Sequence, residues 1–222
     1  INLYERKIIM QASGSISTQG VIALVKRIGK TTLIIEGIGA ILLASRFIPV
    51  FGMGKGIYFS IFHSISAFCN AGFDLMGSLG NEFCSLTNFV GDWVVNLTIM
   101  GLIISGGLGF FVWSNIIDTK CCFRKMKLHT KIVLSATAFL IIVPSFLFFI
   151  FEKDNPMTIK NLPIDEKILA SLFQSVTTRT AGFNTIDLSK INDSSALLTI
   201  FLMAIGGSPG STAGGIKTTT FV

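Results

Sequence analysis

Apolar residues fall into six runs of unequal length along this chain. Residues 31–51 form the first, and its helix is expected to begin upstream, near Val25, to reach the ~20 residues a bilayer demands. Residues 57–68 are as apolar but too short to span, which predicts a re-entrant segment. Residues 88–117 form a long run. Residues 132–151 form another, with Pro144 as a predicted kink. Residues 168–176 are short again, and a last run opens at Ser195. The order is long, short, long, basic loop, long, short, long. It predicts two copies of a helix–short helix–helix unit.

Two echoes in the residues support duplication, the reading an internal repeat calls for. "FHSISAFCNAGFD" (62–74) resembles "FQSVTTRTAGFNT" (173–185), with Ala-Gly-Phe at 71–73 and 181–183. "SGGLGF" (105–110) resembles "IGGSPG" (205–210). The copies recur in the same order and sense, unlike the inverted repeats of many secondary transporters.

Composition agrees with the pattern. Half the residues are hydrophobic and only 14% are charged, against about 25% in a soluble domain; mean hydropathy is +0.70. An all-α polytopic membrane protein follows. The net charge of +6 does not mark a nucleic-acid binder, because the basic residues flank apolar runs. Residues 1–30 and 118–131 each carry five basic residues against one acidic, whereas 152–194 carry five against six. The basic segments are therefore expected at the cytoplasmic face, with both short segments dipping in from outside. No secretory signal pattern opens the chain; starting at Ile1 and stopping in a polar run, it reads as a piece of a longer protein. Cys69, Cys84, Cys121 and Cys122 lack metal or disulfide spacing. Cys121 and Cys122, beside basic residues, are either inert thiols or acylation sites. Nothing resembles a nucleophile–base pair or a metal cluster, and no enzymatic activity is expected.

A helix that stops inside the membrane leaves backbone groups unpaired, which is tolerable only where they are buried in protein or line a wet cavity. Its carboxyl end favours a cation. Glycine lets the chain turn and a ligand approach, so Gly72 and Gly182 are placed to aim carbonyls at a dehydrated monovalent cation.

These residues carry a family resemblance. The two Ala-Gly-Phe elements, "TTRTAGFNT" and the closing "GGSPGSTAGGIKTTT" resemble the Ktr/Trk/HKT potassium transporter superfamily, with the bacterial KtrB-type membrane subunit as nearest match. The resemblance covers nearly the whole chain, as the second and third of four helix–pore–helix repeats. It implies a cytoplasmic linker at 1–30, the second repeat at 31–117, a cytoplasmic loop at 118–131, and the third repeat at 132–222, truncated after its gating loop. Asn70, Ala71, Gly72 and Phe73 would form one filter strand, and Thr180, Ala181, Gly182 and Phe183 another. K+, with Na+ as a second candidate, would be held by backbone carbonyls near Gly72 and Gly182, and permeation would be passive. Gly206, Gly207, Ser208, Pro209, Gly210, Ser211, Thr212, Ala213, Gly214 and Gly215 would form an intramembrane gating loop. Lacking regular hydrogen bonds, that loop is expected to move cheaply; residues 106–110 of the second repeat should stay nearer helical. The resemblance also implies a homodimer in a bacterial cell membrane, regulated by a cytosolic nucleotide-binding ring of KtrA/TrkA type, with no bound cofactor.

Other readings stay open on the residues alone. Gly210 and Gly215 have phosphate-loop spacing, but Ile216 stands where that motif needs Lys. The final glycines could also be a flexible linker. A secondary transporter with broken helices, or a non-transporting scaffold or sensor, would share the hydropathy profile. Glu36 inside an apolar run is either functional or faces a polar cleft or helix partner. Arg179 either braces the end of the short helix through carbonyls or tunes the outer potential. His63 reads as a satisfied helix residue, Asp92 and Asn96 as interfacial, and Trp93 and Trp113 as belt residues at opposite ends of one span. Four repeats of this length would need about 440 residues.

Overall fold

The computed structural model describes residues 18–79 and 84–221. Residues 1–17 of the expected linker, with Arg6 and Lys7, lie outside the described residues. The first helix, α1, runs Thr18–Phe51, so the rest of that stretch is helical and continuous with the first span. Gly52, at φ 79°, ends α1 and turns the chain into α2, Met53–Phe68. A side chain there would be strained, because that φ is unfavourable for residues with a Cβ. α2 then packs back along α1. Gly56 makes this possible, since a Cβ there would sit 2.6 Å from the Ile48 Cα.

After the Ala-Gly-Phe turn and a connecting segment comes α3, Trp93–Leu108. Asp92 caps it, its carboxylate accepting from the amides of Val94 (2.9 Å) and Val95 (3.1 Å). Such a cap typically contributes about 1 kcal/mol. The long run at 88–117 is not one straight span. At Gly109 (φ 87°) the chain bends by 94° into α4, Phe110–Asp118. Helicity persists through Leu108, further than in the matching segment of the second unit. The indole of Trp113 donates to the Ser105 carbonyl across the bend (2.8 Å), so Trp113 braces the bend.

The second unit repeats the order. α5 (Leu128–Glu152) contains Pro144; α6 (Ile164–Thr177) is the short helix; α7 (Asp193–Ala204) breaks off after 12 residues. The loop at 206–215 follows, then one turn, α8 (Thr218–Phe221). α1 from Val25 and α5 are each long and apolar enough to cross a membrane, and α3–α4 would be a third such span if counted as one. Their outward faces are exposed and apolar: Leu33, Ile38 and Ile41 on α1, Phe139, Ile142 and Phe146 on α5. Arg27 near the start of α1 pairs with Asp118 at the end of α4 (2.8 Å). The described end of the first basic segment thus lies beside the start of the second.

One apolar core joins the units. Phe47, Phe59, Phe68, Ile99 and Ile103 pack with Leu169, Phe173, Val176 and Phe183. Within each unit, a serine of the short helix donates to a backbone carbonyl of the preceding long helix. Ser64 bonds to Glu36 O and Ser175 to Ile141 O, each at 2.7 Å. These serines are 111 positions apart, whereas the Ala-Gly-Phe elements are 110 apart. "FHSIS" and "FQSVT" therefore match throughout, and the second unit has one residue fewer between short helix and turn.

Candidate functional site

Each short helix ends in the same device. Ala71 N donates to Ser66 O (2.9 Å) and Ala181 N to Thr177 O (3.0 Å), closing α2 and α6. Asn70 (φ 51°) and Thr180 (φ 71°) then take left-handed backbone, followed by Gly72 (φ 72°) and Gly182 (φ 90°). Non-glycine residues adopt this conformation at a cost of roughly 1–2 kcal/mol, so both turns are held in place by their surroundings. The holding contacts are visible. The Ser66 hydroxyl donates to Phe73 O and the Thr177 hydroxyl to Phe183 O, each at 2.7 Å. The one-residue difference between the units is absorbed inside these clamps. Sequence comparison in the 111-residue register, Ser66 against Thr177, would have found them.

The two turns meet. A Cβ added to Gly72 would overlap the Ala181 carbonyl oxygen and lie 3.1 Å from the Gly182 Cα. A Cβ on Gly182 would lie 3.5 Å from the Gly72 Cα. Asn70, Ala71, Gly72, Thr180, Ala181 and Gly182 are thus gathered at one junction. Phe183 is fully buried, while Phe73 is 70% exposed. A cavity of about 380 Å³ opens beside the second turn, lined by Ala71, Gln174, Thr177, Thr180, Gly182 and Thr199 among others.

His63 serves the first turn. Its Nδ1 lies 2.7 Å from Phe59 O, which can only accept, so Nδ1 carries the proton. Nε2 accepts from Leu75 N at 3.4 Å. The ring packs near Phe47, Phe62 and Phe183. His63 is the satisfied residue expected, and it also supports the chain just beyond Gly72. Asn96 is buried and donates to the carbonyls of Phe89, Val90 and Asp92. It ties the chain just before α3 to that helix. Arg179 is buried, and among the described residues its Nε has no hydrogen-bond partner. It lines a small cavity with Gly107, Thr137, Gly207 and Ala213.

Beneath the junction lies the glycine-rich loop, and it is not free of regular hydrogen bonds. Gly206 N donates to Ile216 O (2.9 Å), Ile216 N to Ala204 O (3.2 Å), and Thr218 N to Gly207 O (3.2 Å). The Ser208 and Thr218 hydroxyls, both buried, are 3.0 Å apart. The Lys217 ammonium donates to Ala213 O (2.9 Å). The loop also completes the broken helix of the first unit. Ser208 N donates to Gly107 O (2.9 Å), Thr212 N to Gly106 O (3.2 Å), and Phe110 N to Gly210 O (3.0 Å). Carbonyls orphaned by the bend at Gly109 are thereby satisfied, as buried backbone groups must be. Moving this loop therefore requires exchanging several hydrogen bonds; it does not move cheaply. Sequence reading missed the bonds to Gly106, Gly107 and Phe110 because these partners lie about 100 positions away.

Short helices returning through glycine turns between long apolar helices, with interrupted helices below, define an all-helical membrane protein of the pore-loop-repeat kind. The TrkH family, described as cation transport protein, matches residues 1–222, and the chain belongs to that family. It is 42% identical over 220 residues to the potassium/sodium uptake protein NtpJ of Enterococcus hirae, covering 99% of this chain and 47% of that protein. It is 41% identical over 222 residues to the Ktr system potassium uptake protein B of Bacillus subtilis, covering all of this chain and 48% of the relative. The potassium transporter TrkH from Vibrio parahaemolyticus has the same fold, with a TM-score of 0.72 at 19% identity over 97% of this chain and 44% of that one. The chain spans about half the length of these proteins. Its relatives are cation transporters rather than enzymes.

Proposed function

We propose that this chain is part of the potassium-conducting membrane subunit of a Ktr/Trk-type uptake system. Backbone carbonyls around Gly72 and Gly182 would replace the water shell of K+, the mode by which carbonyl rings select dehydrated cations. The observation that carries this reading is the meeting of Gly72 and Gly182, 110 positions apart, close enough that a Cβ on Gly72 would overlap the Ala181 carbonyl oxygen and lie 3.1 Å from the Gly182 Cα. Left-handed backbone at Asn70 and Gly72, and at Thr180 and Gly182, supports it. Such turns redirect carbonyls out of a helical path, and the hydroxyl clamps hold them there.

The loop at 206–215 is the gate in this reading. Its hydrogen bonds to Gly106 and Gly107 hold it shut, and a cytosolic nucleotide-binding ring of KtrA/TrkA type supplies the work of exchanging them. The relatives' names, a Ktr "system" and an uptake protein for potassium and sodium, agree with several components and with K+ or Na+ as cargo. The full protein works as a homodimer in the bacterial cell membrane, each subunit with its own pore. Residues 31–117 and 132–222 supply two of its four repeats. The test is rubidium uptake by the full-length protein in liposomes under a K+ gradient. Selective uptake that weakens on Gly182→Ser supports the reading. Absence of flux from a folded, reconstituted protein, with and without its cytosolic partner, overturns it.

A further inference from the structure

The loop and the first turn are joined by a contact that neither the repeat pattern nor the gate reading assigns. The Thr212 hydroxyl donates to Phe68 O, the last carbonyl of α2, at 2.8 Å. The Asn70 side-chain amide donates to that same hydroxyl at 3.0 Å, and its other contacts, to Phe68 O and Ile103 O, are long at 3.4 and 3.5 Å. Thr212 is therefore the main partner of a residue held in left-handed backbone two positions before Gly72. All three groups converge on Gly106 of α3. A Cβ there would overlap Phe68 O and lie 2.7 Å from the Thr212 oxygen and 2.9 Å from the Asn70 nitrogen. Glycine at 106 is what lets the junction close. The second unit has no counterpart: the Thr180 hydroxyl is buried without a partner among the described residues.

We propose that Thr212, although it belongs to the glycine-rich loop, is a positioning residue for the Asn70–Gly72 strand, so that loop and selectivity site act as one hydrogen-bonded unit. This rests on the reading of the Ala-Gly-Phe turns as the ion site. When the loop leaves, Asn70 loses its main partner and the end of α2 regains a free carbonyl. Ion discrimination in the first turn then depends on where the loop sits. A hydroxyl at 212 is required, because it accepts from Asn70 while donating to Phe68 O; only Ser or Thr provides both in that space.

The test uses the full-length protein in liposomes, reading K+ and Na+ flux separately. Thr212→Val should lower the K+/Na+ ratio about three- to tenfold, the equivalent of losing about one net hydrogen bond. Thr212→Ser should stay within about twofold of wild type. Asn70→Ala combined with Thr212→Val should do no more than the larger single change, since the two share one interaction. Thr212→Ala carries the same expectation if the valine protein does not fold. A hydroxyl-free variant that changes total flux but keeps the wild-type ratio overturns the proposal, as does an additive double variant. Gly182→Ser in the same assay separates the two levels. If it changes the ratio while Thr212→Val does not, only the coupling fails. If neither changes it, the ion-site reading fails and the proposal with it.

Discussion

Gly72→Ala and Gly182→Ala form a matched pair whose outcomes should differ sharply. Both glycines have positive φ, 72° and 90°, so alanine at either position costs roughly 1–2 kcal/mol in backbone conformation alone. Space separates them. At Gly182 the added methyl would meet only the Gly72 Cα, at 3.5 Å, an ordinary contact. At Gly72 it would overlap the Ala181 carbonyl oxygen, so one strand must shift. Forcing atoms into a packed site costs typically 1–3 kcal/mol more, and here the displaced group is one of the carbonyls proposed to hold the ion. Each 1.4 kcal/mol is a factor of ten. Gly72→Ala should therefore lose about tenfold or more rubidium uptake beyond the loss in Gly182→Ala. Both proteins must first elute as wild type on size exclusion and reconstitute equally. Equal losses, or a greater loss for Gly182→Ala, would refute the reasoning, because the asymmetry follows directly from which strand lies behind the other.

Other expectations follow from single contacts. Thr177→Val removes the hydroxyl clamp on Phe183 O and should lower the thermal midpoint in detergent by an amount matching about 1 kcal/mol, with a reduced K+/Na+ ratio; Thr177→Ser should restore both. Deleting several residues of 206–215 should raise flux without the cytosolic partner and also lower thermal stability, since Gly106 O and Gly107 O lose their donors; a wild-type partner-free rate would count against the gate. Glu152 is buried at the end of α5 and accepts from Asn192 N (2.8 Å), Asn155 Nδ2 (2.8 Å) and Thr158 Oγ1 (2.6 Å). Replacing it with Gln turns one acceptor into a donor facing donors, and should destabilise the protein by about 1–3 kcal/mol while leaving the ion ratio unchanged.

The architecture was legible because run length is a physical constraint: 57–68 and 168–176 are too short to span, and both emerge as short helices ending at glycine turns. The repeated Ala-Gly-Phe element located the junction, and the glycine and proline content of 206–215 located the interrupted helix. The bend at Gly109 was hidden because residues 88–117 stay apolar across it, and hydropathy is blind to direction. Residue type does not show that Asn96 and Trp113 are each committed to nearby backbone carbonyls. Arg179 reads only as a residue at a helix end, and the cavity it lines beside the loop is formed by residues from distant segments. The loop itself looked free because its donors are answered by Gly106, Gly107 and Phe68, far away in sequence. Polar pairing across 100 or more positions leaves no periodic trace.

The central claim is that backbone oxygens beside Gly72 and Gly182 hold a stripped alkali ion. Anomalous scattering from rubidium-soaked crystals of the full-length protein tests it most directly. The account predicts a rubidium peak at about 3 Å from carbonyl oxygens within 70–72 and 180–182, in line with direct coordination. A rubidium peak bound elsewhere in a conducting protein, with no density at that junction, would contradict it.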